Sequence, residues 1–194
     1  YDRIIWGNDN VAIISDEWYD TRNTKTYVIN PSNPSQGPKV IFDRNAQDAY
    51  SDPGNFETRK NQYNRYVLAI ENDNAYLIGN GFTKNGQFPF ISEFNLKTLQ
   101  TNRLYTSTYK DKKEDLLEIE DFKKGTVLVQ IQSKNEYPNY YLRNFKQKNK
   151  LTPITAFKNP FESIKNVNKE VIKYKRKDGV ELSGTLYLPV GYDN

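Results

Sequence analysis

The chain alternates short apolar runs with polar turns, and three stretches repeat this alternation in the same order. The first runs through NDNVAIISDEW (8–18), TKTYVIN and PKVIFDR, and the second through NDNAYLIGNGF (72–82), PFISEFN and TNRLYTS. The third runs through LLEIEDFKKGTVLVQIQS (116–133), NYYLRNF and KLTPITAF. The strands that open the first, second and third units are RIIWG, RYVLAIE and DLLEIED, respectively. Apolar positions that alternate with polar ones between turns predict short antiparallel strands.

Each repeat therefore contains four short strands. Four-stranded antiparallel meanders that recur along a chain are typical of β-propeller blades. We predict an all-β fold with about three such blades, and the ring is incomplete because propellers close with about four to eight blades. The alternative is a β-sandwich of about 12 strands, which also has short strands bounded by turns.

The predicted blades cover about residues 1–62, 63–111 and 112–157, so that a partial propeller spans 1–157. A polar stretch, 158–170, has no strong periodicity and is predicted to be a linker. Residues 171–194 are predicted to form a hairpin, because the Asp-Gly dipeptide at 178–179 is typical of a two-residue hairpin loop. The second strand of that hairpin has an apolar face that another element should cover, formed by Val180, Leu182, Gly184, Leu186 and Leu188.

Three residue types are missing from the 194 residues: Cys, His and Met. The chain therefore holds no disulfide, no thiol nucleophile and no Ser-His-Asp triad, and it lacks the usual ligands of zinc. No metal and no cofactor are predicted. Because there is no Met and a strand pattern starts at once, we expect the chain to be an internal segment of a longer protein. No apolar run approaches 18 residues, so no membrane span is predicted.

The formal net charge is only +4, and part of the excess lies in KYKRK (173–177). A basic run combined with many tyrosines is one signature of nucleic-acid binding. Acidic residues are interleaved elsewhere, however, so the alternating Lys-Tyr-Lys pattern indicates a solvated strand face, and no nucleic-acid partner is predicted. The two NDN triplets contain oxygen ligands of the kind that calcium accepts, but their equivalent positions indicate turns. Trp6 and Trp18 are predicted to pack between blades.

The loop DRNAQDAYSDPGNFETRKNQ (43–62) is the longest non-repetitive stretch. Long loops in compact domains often carry function. Its Ser-Asp-Pro-Gly core is a turn by composition, because Pro53 fixes its own φ and Gly54 allows a positive φ. The acidic and Arg side chains of the loop are therefore predicted first of all to order it.

The chain resembles the prolyl oligopeptidase family of serine peptidases, and specifically its glutamyl-peptidase branch. Three passages carry the resemblance: WGNDNVAIISDEWYDTRNTKTYVINP (6–31), IFDRNAQDAYSDPGNF (41–56) and KRKDGVELSGTLYLPVGYD (175–193). The last passage is similar to the entry into the family's α/β-hydrolase domain. The Ser-Asp-Pro-Gly loop is more specific to the branch.

The resemblance implies a two-domain serine peptidase in which the propeller caps a hydrolase domain of the same polypeptide and filters peptide substrates by size. The family's catalytic Ser, Asp and His lie downstream of the hairpin, and the nucleophile-elbow pattern G-x-S-x-G is absent here. No residue of this chain is therefore predicted to be catalytic. The other function class that stays open is a stand-alone propeller that binds protein or glycan.

A glutamyl preference requires a group that binds a carboxylate, and a planar guanidinium does so through two hydrogen bonds. Arg59 is the first candidate for binding a substrate carboxylate, and Arg44 is the second. Tyr50 and Asp52 of the same loop are the other candidate substrate-binding residues. The compartment is not fixed by the sequence, although a periplasmic or secreted location is favoured.

Overall fold

The computed structural model describes residues 2–147, 150–164 and 166–192. The predictions extend to residues 1, 148, 149, 165, 193 and 194, which lie outside the described residues. Within the described ranges the regular structure is strands together with two short 3₁₀ turns, at Pro34–Gln36 and Glu162–Ile164. The prediction of an all-β fold is confirmed.

The first sheet is a four-stranded antiparallel meander in the order β1-β2-β3-β4. Its strands are β1 (Arg3–Asn8), β2 (Val11–Trp18), β3 (Asn23–Ile29) and β4 (Lys39–Asn45). Two polar residues, Asp9 and Asn10, connect β1 to β2, and the Asn8 side chain accepts a hydrogen bond from the Asn10 N–H. This local side-chain bond explains why the polar triplet ends one strand and starts the next.

The second sheet is less regular than a simple meander. Its order is β13-β12-β9-β5, and β8 also pairs with β9. Two small hairpins, β6–β7 and β10–β11, are inserted into this part of the chain. The strands are β5 (Asn55–Phe56), β6 (Thr58–Lys60), β7 (Tyr66–Leu68), β8 (Ile70–Glu71), β9 (Asn74–Gly79), β10 (Phe82–Thr83), β11 (Gly86–Gln87), β12 (Phe90–Asn95) and β13 (Thr101–Thr106).

The stretch RYVLAIE, predicted as one strand, is divided at Ala69. Its first half pairs with β6 and its second half pairs with β9. Part of the predicted loop 43–62 is also extended, because β5 lies against β9. Gly54 makes this approach possible: its φ is +89°, and a Cβ there would lie 2.5 Å from the carbonyl oxygen of Ile78. Such contacts at positive φ exclude a larger residue.

The third sheet is again a four-stranded antiparallel meander, in the order β14-β15-β16-β17. Its strands are β14 (Lys112–Asp121), β15 (Thr126–Ser133), β16 (Asn139–Asn144) and β17 (Lys150–Pro153). A separate hairpin follows, formed by β18 (Asn168–Lys175) and β19 (Glu181–Leu188). The basic run 173–177 lies at the exposed end of β18 and in the turn after it.

Two cores separate the three sheets, and the middle sheet is buried on both faces. Along β9, Ala75 and Leu77 belong to one core, whereas Tyr76 belongs to the other. This is why β9 has a nearly continuous apolar run rather than a strict alternation. The core between the first and second sheets comprises Ile13, Val28, Phe56, Leu68, Ala75, Leu77 and Phe94. The core between the second and third sheets comprises Tyr76, Ile91, Tyr105, Leu116, Ile119, Val127, Val129, Ile131 and Phe145.

A sheet covered on both faces by neighbouring sheets distinguishes propeller blades from a sandwich. In a sandwich, two sheets share one core and each keeps an outer face towards solvent. Here the second sheet contacts the first sheet on one side and the third sheet on the other. The prediction of successive propeller blades, followed by a C-terminal hairpin, is therefore confirmed.

The prediction for the two tryptophans is wrong. Trp6 is 55% exposed and Trp18 is 44% exposed, and neither contributes to the two cores. Side chains of β1 alternate between the two sides of the strand, and Ile5 is the neighbour that packs against the core between the first and second sheets. The indole ring of Trp6 is left outside that core.

Candidate functional site

Two adjoining clefts run along β1, the β6–β7 hairpin and β14. The first, which we call the aromatic cleft, has a volume of about 420 Å³ and is lined by Arg3, Ile4, Ile5, Trp6, Thr58 and Tyr66. The second, which we call the charged cleft, has a volume of about 520 Å³ and is lined by Thr58, Arg59, Lys60, Tyr66, Glu71 and residues 118–123. Because Thr58 and Tyr66 line both clefts, the β6–β7 hairpin forms the wall between them.

The charged cleft is lined by side chains of both signs. Arg59 and Lys60 lie on β6, and β14 contributes Glu118, Glu120 and Asp121 on the other side. Unlike charges that face each other across a water-filled gap attract only weakly, because water screens them. The charged cleft therefore offers groups that can bind an anion and groups that can bind a cation.

Arg59 is held in place by two partners. Its Nη1 lies 2.6 Å from Oε1 of Glu71, and its Nη2 donates a hydrogen bond of 2.8 Å to the carbonyl oxygen of Ile70. The side chain of Arg59 is nevertheless 46% exposed. The guanidinium is thus oriented by the second sheet and still open to solvent in the charged cleft.

Glu57 joins the second and third sheets beside this cleft. Its N–H donates to the carbonyl oxygen of Tyr76, and its carboxylate Oε2 accepts a hydrogen bond of 3.3 Å from the N–H of Ile119 on β14. Burial raises the pKa of Glu57 to about 7, an effect that the bond from Ile119 opposes and the charge of Glu118 reinforces. A carboxyl group with such a pKa changes its charge near neutral pH.

Arg44, at the end of β4, reaches Asp52 in the loop that follows. Nη1 of Arg44 donates to the carbonyl oxygens of Asn45 and Asp48, at 3.1 and 3.3 Å, and Nη2 lies 3.3 Å from Oδ1 of Asp52. The same carboxylate oxygen accepts a hydrogen bond from the N–H of Gly54. The structure thus gives Arg44 and Asp52 partners within the loop, and a role for either in substrate binding stays a prediction.

Tyr50 lies in the same loop, and its side chain is largely exposed. Its N–H donates to Oδ1 of Asp48. Tyr50 and Asp52 therefore lie in the loop after β4, and Arg44 at the end of β4 contacts that loop. Arg59 lies apart from them on β6 and contacts Glu71 and Ile70 instead.

Sequence reasoning missed a buried polar network between the second and third sheets. The Glu114 carboxylate accepts a bond of 2.7 Å from Nε of Arg143 and one of 2.6 Å from the Tyr105 hydroxyl. Nη2 of Arg143 donates to the Tyr109 hydroxyl at 3.3 Å. Burial and the Glu114 carboxylate raise the pKa of Tyr105 above its ordinary value. The available signal was an arginine between Leu142 and Asn144, in a strand rich in aromatic residues.

Within the described ranges, no group of three acidic residues could hold a metal ion. In the same residues, no helix has the length and apolar character that crossing a membrane requires.

No protein-family model matches the chain. The match to the probable chloroplastic glutamyl endopeptidase of Arabidopsis thaliana is 210 residues long, covers 100% of the chain and has 36% identity. The match to the probable chloroplastic glutamyl endopeptidase of Oryza sativa subsp. japonica is 204 residues long, covers 97% of the chain and also has 36% identity. The chain spans about a fifth of the length of these relatives, 22% and 21%.

Among solved structures, the chain is similar to the AtxE2 isopeptidase in its variant with Astexin3-dC4 bound. The TM-score is 0.53 at 11% identity, and the match covers 98% of this chain and 26% of the isopeptidase. The three sheets separated by two cores define the class of protein, a segment of a β-propeller. The full-length similarity then identifies its family: the chain belongs to the prolyl oligopeptidase family of serine peptidases, in the glutamyl-peptidase branch.

Proposed function

We propose that the chain is the non-catalytic, substrate-gating propeller segment of a serine peptidase. Hydrolysis would take place in an α/β-hydrolase domain of the same polypeptide, and peptides would be the substrates. The observation that carries the proposal is the 36% identity to glutamyl endopeptidases along the whole chain. Since the chain has neither His nor Cys, a Ser-His or Cys-His catalytic pair requires residues outside it.

The position of the two clefts supports the gating role. β1 and β14 are edge strands of the first and third sheets, and the β6–β7 hairpin lies between them along the clefts. In a propeller, the blades surround a central channel. We infer that these edges face the channel, so that a peptide on its way to the hydrolase domain meets the side chains of both clefts.

The proposed preference for acidic residues rests on Arg59. A substrate carboxylate that entered the charged cleft would compete with Glu71 for the guanidinium and would find Lys60 on the same strand. The exchange replaces one charge-assisted hydrogen bond by another, so Arg59 need not be left without a partner. The relatives are named glutamyl endopeptidases, which is consistent with this preference.

Replacing Arg59 by Ala tests the acidic preference in the longer polypeptide that carries this chain. We expect kcat/KM to fall about tenfold more for a Glu-containing peptide than for the same peptide with Gln, because a hydrogen bond between charged groups contributes about 1.5–3 kcal/mol. The measurement is steady-state hydrolysis of the two peptides by the wild type and by the variant.

The matched control is Arg103→Ala, which removes the same charge from β13, an edge strand of the second sheet that lines neither cleft. It should leave the ratio of the two kcat/KM values unchanged. A wild-type enzyme that hydrolyses the Glu and Gln peptides equally well would refute the acidic preference alone. A longer polypeptide that hydrolyses neither peptide would refute the peptidase role.

The compartment of this chain stays a prediction. The two relatives are named chloroplastic, whereas the sequence favours a periplasmic or secreted location. Both locations require that the longer protein is targeted out of the compartment in which it is made, and we propose such targeting for it.

A further inference from the structure

Two large aromatic side chains of the aromatic cleft are exposed to solvent. Trp6 and Tyr66 have exposed fractions of 55% and 66%, and both line the cleft of about 420 Å³. Ile4 and Ile5 add apolar surface to the same wall. Exposed aromatic rings that converge on one concave surface are typical of binding sites, since such surface is otherwise buried.

Neither ring is needed for the packing of the blades. Ile5 packs against the core between the first and second sheets, and Leu68 belongs to that core. Each of these residues holds its strand in place, while Trp6 on β1 and Tyr66 on β7 lie outside both cores. Both rings are therefore available to contact a ligand in the cleft.

The charges around the aromatic cleft indicate which ligand it suits. Its lining residues include Arg3 but no Asp or Glu. The Nζ of Lys60 lies 5.5 Å from the centroid of the Tyr66 ring, and Arg59 follows Thr58 on the shared wall. The acidic side chains of the neighbouring charged cleft lie on β8 and β14, and Glu71 on β8 pairs with Arg59. An aromatic surface bordered by cations is complementary to an apolar ring next to a carboxylate.

We propose that Trp6 and Tyr66 form a subsite that stacks a phenylalanyl side chain of a peptide substrate whose neighbouring residue is acidic. The carboxylate of that neighbour binds Arg3, which lines the same cleft, and Lys60, which lies beside the Tyr66 ring. This inference rests on the proposed function, because it assumes that peptides pass along the clefts, and it adds a second specificity determinant to the acidic preference.

The test uses the two tryptophans as reporters in the 194-residue chain. In a Trp18→Phe variant, Trp6 is the one remaining tryptophan, and its fluorescence should change in a saturable manner with the capped peptide Ala-Glu-Phe-Ala. Loss of the aromatic ring in Ala-Glu-Ala-Ala should weaken binding about three- to tenfold, which is the range expected for one aromatic pair. Replacing the acid, in Ala-Gln-Phe-Ala, should weaken it by a similar factor.

The matched control is the reverse variant, Trp6→Phe, in which Trp18 is the reporter. Trp18 lies at the far end of β2 beside Lys25, and its fluorescence should not respond. Tyr66→Ala in the Trp18→Phe background should lower the affinity for the Phe peptide towards that for the Ala peptide, and a far-UV spectrum identical to the parent shows that the variant is folded.

Two outcomes separate this inference from the proposed function. If Trp6 does not respond, or if the Phe and Ala peptides bind equally, the aromatic subsite is refuted, whatever the longer polypeptide hydrolyses. If Trp6 responds with the predicted selectivity while the longer polypeptide cleaves no peptide, the subsite is supported and the peptidase role is refuted.

Discussion

Replacing Glu114 by Ala is expected to lower the free energy of unfolding by about 3–5 kcal/mol, because it leaves the charge of Arg143 buried without its carboxylate. Both residues are nearly inaccessible to solvent, with exposed fractions of 2% and 5%. The variant also removes the acceptor of the Tyr105 hydroxyl. Since Tyr105 lies on the second sheet and the ion pair lies on the third, the loss should weaken the contact between two blades. Denaturant unfolding of the chain measures the effect.

An exposed ion pair of the third sheet serves as the control. Lys112 and Glu136 are 2.7 Å apart but accessible to water, so Glu136→Ala should cost no more than about 1 kcal/mol. The double variant Glu114→Leu with Arg143→Met should recover most of the stability, because removal of both charges leaves no buried ion unpaired. If Glu114→Ala and Glu136→Ala cost the same, the network does not hold the blades together.

Replacing Phe94 by Ala is expected to cost about 3–5 kcal/mol, the range for truncation of a buried phenylalanine. Phe94 is 1% exposed. Its ring centroid lies 5.8 Å from that of Phe56 in an edge-on arrangement and 5.9 Å from that of Phe42 on the first sheet. Truncation would thus open a cavity where the first and second sheets meet. Thermal or denaturant unfolding reports the change.

Phe161→Ala is the matched control for Phe94→Ala. The Phe161 side chain is 58% exposed, so most of its surface contacts water in the folded chain, and its truncation should change stability by less than about 1 kcal/mol. A loss of similar size in the two variants would mean that the aromatic cluster around Phe94 does not connect the sheets.

The sequence predicts the first and third sheets well because their strands pair in chain order and are separated by polar connections. The second sheet departs from the pattern because its pairings are decided by tertiary contacts. Nothing in RYVLAIE indicates that the chain changes partners at Ala69, and β5 pairs with β9 only because Gly54 lets two backbone segments come close. Pairing between residues distant in sequence is set by packing, which local patterns do not encode.

The candidate site could be predicted only in part, for a related reason. The chemistry of its side chain makes Arg59 a candidate, and Arg59 lines the charged cleft. The sequence does not indicate Glu57 or Trp6 as site residues, because their surroundings depend on which strands become neighbours. The sequence predicts that Trp6 packs between blades, since large aromatic residues are mostly buried, but the structure places Ile5 against that core instead.

Size selection is the most direct test of the central claim, that this chain gates access to a catalytic domain. The measurement compares hydrolysis of a short Glu-containing peptide with that of a folded protein that carries the same sequence in an exposed loop, using the longer polypeptide as the enzyme. If the propeller admits substrates through its channel, the peptide is cleaved and the folded protein is not, until that protein is unfolded. Equal cleavage of the peptide and the folded protein would contradict the gating role.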